Sequence, residues 1–197
     1  MQAEFGQTVA VLPNVELGRR ARRDYMPTEQ DYRVDGEGRA LYYRDYRNTF
    51  DRLKAAGILK SGELLPTDLP ILFVGNNTIQ PQSFDVRKAD ANAIEGFPYP
   101  GKSATIKFTD DRDTATMAIF DRPARRDKNT DHLYAATVGQ LEALGFNVYY
   151  LPLFNNPLHV RIVHQSHMEN PNDLFTARFH KATVALAELL QGQRLPE

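Results

Sequence analysis

The stretch that decides the fold is Leu144–His167, LGFNVYYLPLFNNPLHVRIVHQSH. Its alternation reads as two apolar strands joined by a turn. Val148 and Tyr150 share one face of the first strand. In the second, Val160, Ile162 and His164 share one face, and His159, Arg161 and Val163 the other. Asn155, Asn156 and Pro157 supply the turn between them, and the two asparagines add side-chain amides able to orient a ligand. The stretch ends in polar, titratable groups, so the residues that specify a sheet also mark where a site can lie.

The helical spacing of Tyr43, Tyr46, Phe50 and Leu53, followed by Gly57, predicts a helix over about 41–56. Ile71–Val74 is a continuous apolar run ending in Gly75-Asn76-Asn77, the pattern of a buried strand and its turn. Thr78–Gly101 has no clear period and reads as a long surface excursion. Ser103–Phe108 and Thr114–Phe120 alternate on either side of Asp110-Asp111-Arg112-Asp113, which predicts a hairpin. Thr130 is a candidate N-cap for a helix running through Leu133, Ala136, Val138, Leu141 and Leu144 to the stop at Gly145. Asn172 is a candidate cap for a last helix with the stripe Phe175, Phe179, Ala182, Leu186 and Leu189. These elements add up to an α+β domain: a mainly antiparallel sheet of about five strands with three helices packed on it. That domain spans residues 41–197 and follows a polar arm over residues 1–40.

The chain has 197 residues, and its 42% hydrophobic content is enough for a core without disulfide or metal staples. With 24 basic against 25 acidic residues, its net charge recruits neither nucleic acid nor an anionic membrane over the whole surface. The absence of cysteine excludes disulfides, thiolate metal sites and a cysteine nucleophile. Neither an export signal nor an apolar run of membrane-spanning length is present, so the expectation is a cytoplasmic protein.

Gly96-Phe97-Pro98-Tyr99-Pro100-Gly101-Lys102-Ser103 matches a phosphate-binding loop in letters only. Its prolines delete N–H donors, and a strand pattern rather than a helix follows it. Lys102 remains a candidate anion contact. His159, His164 and His167 do not share a face in a regular strand, which argues against a metal centre; as non-ligands they read as surface or capping residues at a strand end. His159 and Arg161 do share a face. An imidazole that exchanges a proton near neutral pH beside a guanidinium that forks onto phosphate is a combination for handling a nucleotide-like anion. Arg44 and Arg47, beside Tyr42 and Tyr43, offer further cations next to aromatic surface. The basic runs at Arg19–Arg23 and Arg122–Lys128 lack interleaved aromatics and are weak nucleic-acid signals.

Three patches, LYYR at 41–44, TATMAIFDR at 114–122 and PLHVRIVHQ at 157–165, resemble the motif order of small ADP-ribosyltransferase-like bacterial toxins. The resemblance implies that Arg44 contacts an NAD phosphate and that the His159 strand lines the same cleft. The serine-threonine-serine strand and the glutamate pair of many such enzymes have no counterpart here. The expected function is a small bacterial-type enzyme acting on a nucleotide, NAD or RNA, of toxin or defence-effector type. His159 and Arg161 are its catalytic candidates, and Arg44, Arg47, Lys102, Asn155 and Asn156 its substrate-binding ones. No cofactor is named by the sequence. The alternative is a non-catalytic protein-binding module that presents an apolar patch at Phe97, Pro98, Tyr99 and Pro100 to a partner protein.

Overall fold

The HVRIVH run forms an interior strand, and a computed structural model of the chain shows it buried on both sides. The structure describes residues 49, 51–55, 57, 62–86, 97–112, 115–116, 131–152 and 158–196. Five strands, β1 (Pro70–Gly75), β2 (Lys102–Ile106), β3 (His132–Thr137), β4 (Phe146–Tyr150) and β5 (His159–His164), form one sheet in the order β3-β1-β2-β5-β4. Every pairing is antiparallel. Among the described residues, α1 (Val138–Ala143), α2 (Gln165–Glu169), α3 (Ala177–Gln191) and a short 3-10 helix at Pro81–Phe84 accompany them. The expected class, an antiparallel α+β sheet with helices packed on it, is the one observed.

The two faces of the sheet differ. On the first, Ile71, Ile106, Tyr134, Val148, Tyr150, Val160 and Ile162 meet the α3 stripe of Phe179, Ala182, Leu186 and Leu190 in the main core. Leu53, from the helical residues 51–55, joins this core at 1% exposure. Gly57 ends that helical segment in the left-handed conformation (φ 80°), where a Cβ is unfavourable. Residues 41–48, 50 and 56, which carry the rest of the expected helix, lie outside the described part, as does the expected arm over residues 1–40. On the second face lie two small apolar clusters. Tyr149, Leu151 and Val163 form one, with Phe97, Tyr99 and Met168 packed on it. Leu72, Ala115 and Leu133 form the other.

Both sheet edges are covered. Beside β4, Leu64 bridges to Tyr149, and Leu65 N–H donates to the Val148 carbonyl at 3.0 Å. Beside β3, Arg194 bridges to Tyr134, and Leu195 N–H donates to the Leu133 carbonyl at 2.9 Å. Such cover removes the unpaired N–H and C=O groups that otherwise template aggregation. Arg194 also donates to the Asn77 side chain, and its guanidinium lies 2.7 Å from His132 Nδ1, tying the β1 turn, β3 and the segment after α3 together.

Four expectations are corrected. The helix placed from Thr130 begins seven residues later, since His132–Thr137 is a strand and Thr137 is the cap. The Thr137 hydroxyl accepts from Gln140 N–H while the Gln140 side chain accepts from Thr137 N–H, a capping box. Gly145 does follow that helix, with φ 86°. The last helix is capped by Thr176, whose hydroxyl accepts from Phe179 N–H, rather than by Asn172; Phe175 precedes the helix and is 73% exposed. In place of the expected hairpin partner, β2 is paired on both sides by β1 and β5; residues 113–114 and 117–120 lie outside the described part. Ala115 and Thr116 are helical, with Ala115 N–H donating to the Asp111 carbonyl. Finally, Thr78–Gly101 is not all surface: Ile79, Phe84 and Val86 are core, and Ile79 N–H donates to the Gln191 side chain of α3.

Candidate functional site

Strand pairing builds a polar strip on the second face, between the two apolar clusters. Thr105 of β2 stands opposite His159 of β5, and on the next rung of that face Ser103 of β2, Arg161 of β5 and Tyr149 of β4 lie in a row. Directly opposed side chains in an antiparallel pair are close enough to touch. His159 and Arg161 are therefore brought together, as their spacing predicts. They do not lie on a solvated surface, being 3% and 2% exposed. Ser103, by contrast, is exposed, so the strip opens to solvent at one end.

His159 Nδ1–H donates to the Leu151 carbonyl at 2.6 Å, which leaves Nε2 as the bare lone pair of a neutral imidazole. Nε2 is buried with no hydrogen-bond partner. Burial pushes the imidazole down from 6.5 to about 4; the Leu151 carbonyl pulls it upward and the Arg161 guanidinium repels the proton. Arg161 Nη1 donates to Ser103 Oγ at 3.3 Å, so the guanidinium leans toward the open end. Thr105 Oγ1 donates to the Leu158 carbonyl at 3.1 Å and stiffens the start of β5.

Lys102 is not part of this strip. It pairs with Ile162, and successive side chains alternate faces, so it stands on the first face with Ile162, His164 and His167 around a narrow cavity. Arg44, Arg47, Asn155 and Asn156 lie outside the described residues. So does most of the 114–122 patch, and its Ala115 and Thr116 are helical where the alternating pattern predicts a strand.

His164 and His167 are buried, at 4% and 0% exposure, rather than surface residues. His164 does cap: it is the N-cap of α2, its side chain accepting from Ser166 N–H at 3.2 Å. Because the strand ends there, strand parity stops applying, and the two rings come within 6.2 Å of each other. Burial pushes His164 down to about 4. His167 is likewise lowered by burial, against the pull of the Leu174 and Pro100 carbonyls.

Sequence reading missed Ser103, Thr105 and Tyr149 as neighbours of the pair. The signal for the first two was present in the polar alternation Ser103-x-Thr105. Which strand they would face required the sheet order. Phe97 and Tyr99, expected to stand out as a patch, are half-buried against Tyr149, while Pro98 is exposed and Pro100 buried. No helix among the described residues is long and apolar enough to cross a membrane. No protein-family model, curated protein or solved structure matches the chain.

Proposed function

We propose that the protein is an enzyme acting on a nucleotide, NAD or RNA, with Arg161 as the anion clamp and His159 as the acid or base. The observation that carries this reading is the buried, unpartnered Nε2 of His159, one rung from a guanidinium. A buried polar atom left without a partner is uncommon in a folded protein and calls for a ligand, a water or a catalytic role. A phosphate bound at Arg161 brings negative charge beside His159, which favours a proton on Nε2, and the resulting N–H donates to a phosphate oxygen. The same negative charge raises the proton affinity of His159, so that the ring can exchange a proton with a reacting group. Ser103, at the exposed end of the row, is the point of entry.

The test is a thermal-shift panel of NAD, ATP, linear and cyclic nucleotides and short RNA on the native protein and on Arg161→Gln. A ligand that binds only the folded state raises the melting temperature. The expected result is a shift from at least one member that is lost in Arg161→Gln. A panel without any shift, or a shift equal in both proteins, contradicts the reading.

A further inference from the structure

We infer that the Phe97–Tyr99–Tyr149 cluster is a stacking platform for a nucleobase, so that the ligand is a phosphorylated nucleoside held at two points. This rests on the anion site proposed above and adds the chemistry of the other half of the ligand. Tyr149 is the direct cross-strand partner of Arg161, on the same face. Its ring lies 5.1 Å from that of Phe97 at an interplanar angle of 63°, and Phe97 lies 5.6 Å from Tyr99 at 86°. Tyr99 and Tyr149 are 6.4 Å apart and tilted by 30°. The three rings thus form one continuous aromatic cluster that begins at the cross-strand neighbour of Arg161.

The platform is held rigidly. Tyr149 is 8% exposed, and its hydroxyl donates to the Met168 sulfur at 3.6 Å. The segment carrying Phe97 and Tyr99 is pinned by Gly101, where a Cβ would lie 2.4 Å from the Ile162 carbonyl oxygen; any other residue would push this segment off the sheet. Phe97 and Tyr99 remain half-buried, so each keeps part of its surface toward solvent. Every base offers a π-face to such rings, and a cation beside them adds attraction for the attached phosphate. A bare phosphate has no use for the aromatic half of the row, and an uncharged nucleoside none for Arg161.

Calorimetric titration of the full chain with adenosine 5′-monophosphate, ribose 5-phosphate and adenosine separates the two halves. The expected result is that adenosine 5′-monophosphate binds about tenfold or more tighter than ribose 5-phosphate, the range that base stacking supplies. In Tyr99→Leu that advantage falls toward one while ribose 5-phosphate affinity holds. Equal binding of the two phosphates to the native protein overturns the platform and leaves the anion site standing. Binding of adenosine as tightly as its monophosphate overturns the anion site and leaves the platform. Binding of none of the three overturns both. Because the decisive comparison uses native protein, it holds even if Tyr99→Leu folds poorly.

Discussion

His159 shows how one residue's burial becomes a measurable property of the protein. The unfolded chain takes up this proton near pH 6.5 and the folded chain near 4, so between those values the unfolded state binds more protons. The stability that His159 contributes is fully present above pH 6.5 and is lost as pH falls toward 4, amounting to roughly 3 kcal/mol across the window. His164, also lowered to about 4, acts in the same direction. Urea denaturation at successive pH values is expected to show stability falling from pH 6.5 to 4, less steeply in His159→Asn, whose amide can still donate to Leu151. An equal slope in both proteins would mean that His159 is not held neutral by the fold. Gly101 offers a second residue-scale test. Its missing Cβ is required by the backbone of β5, which has no flexible atom to move aside. Gly101→Ala is therefore expected to cost about 1–3 kcal/mol in denaturant midpoint measurements, as overpacking does. A neutral substitution would show that the 97–101 segment is free to shift.

At the scale of elements, the sheet survives because both of its edges are covered by short segments. On the β3 side the cover is Gln193–Leu195: Ala135 N–H donates to the Gln193 carbonyl and Leu195 N–H to the Leu133 carbonyl, with the Arg194 contacts added. Removing residues 193–197 is expected to cost roughly 3 kcal/mol or more, at about 1 kcal/mol per backbone bond and more for the charged ones. The exposed edge should also promote self-association, read by sedimentation. Unchanged stability and a monomeric truncated chain would contradict this account of the edge. Nothing in the local pattern of Gln193–Leu195 announces such a role, since isolated bridges are made by tertiary placement. The strands β4 and β5 were legible because their alternation is strong and local. β3 was not: the HLYAAT strand is buried on one face and largely half-buried on the other, and its apolar residues run on into those of α1, imitating one long helical stripe. The capping box at Thr137 and Gln140 marked the true boundary, and the lone Thr130 competed with it. Likewise Thr176, with its N-cap bond to Phe179, outranks Asn172, whose own N–H is engaged in a local turn with the Asn170 side chain.

At the scale of the molecule, the sheet divides labour between its faces. The first is almost wholly apolar and holds the main core under α3; the second carries two small apolar clusters with a polar strip between them. The His159–Arg161 half of that strip was readable from i, i+2 spacing. Its other half depends on β2 being inserted between β1 and β5, a crossover that no local pattern encodes, and for the same reason Lys102 was grouped with residues from which the sheet separates it. The protein-binding alternative predicts a different outcome from every nucleotide measurement: no response from any small ligand, and binding of a partner protein through Phe97, Pro98, Tyr99 and Pro100 that weakens in Tyr99→Ala. The most direct test of the central claim is the imidazole nitrogen spectrum of the full chain near pH 7, with His159 identified among the five histidines by its loss in His159→Asn. The structure predicts a neutral ring protonated at Nδ1, with a bare Nε2 whose signal moves toward the protonated position as adenosine 5′-monophosphate is added. An Nε2 that already carries the proton, or one that stays unmoved by that nucleotide, by NAD and by short RNA, would contradict it.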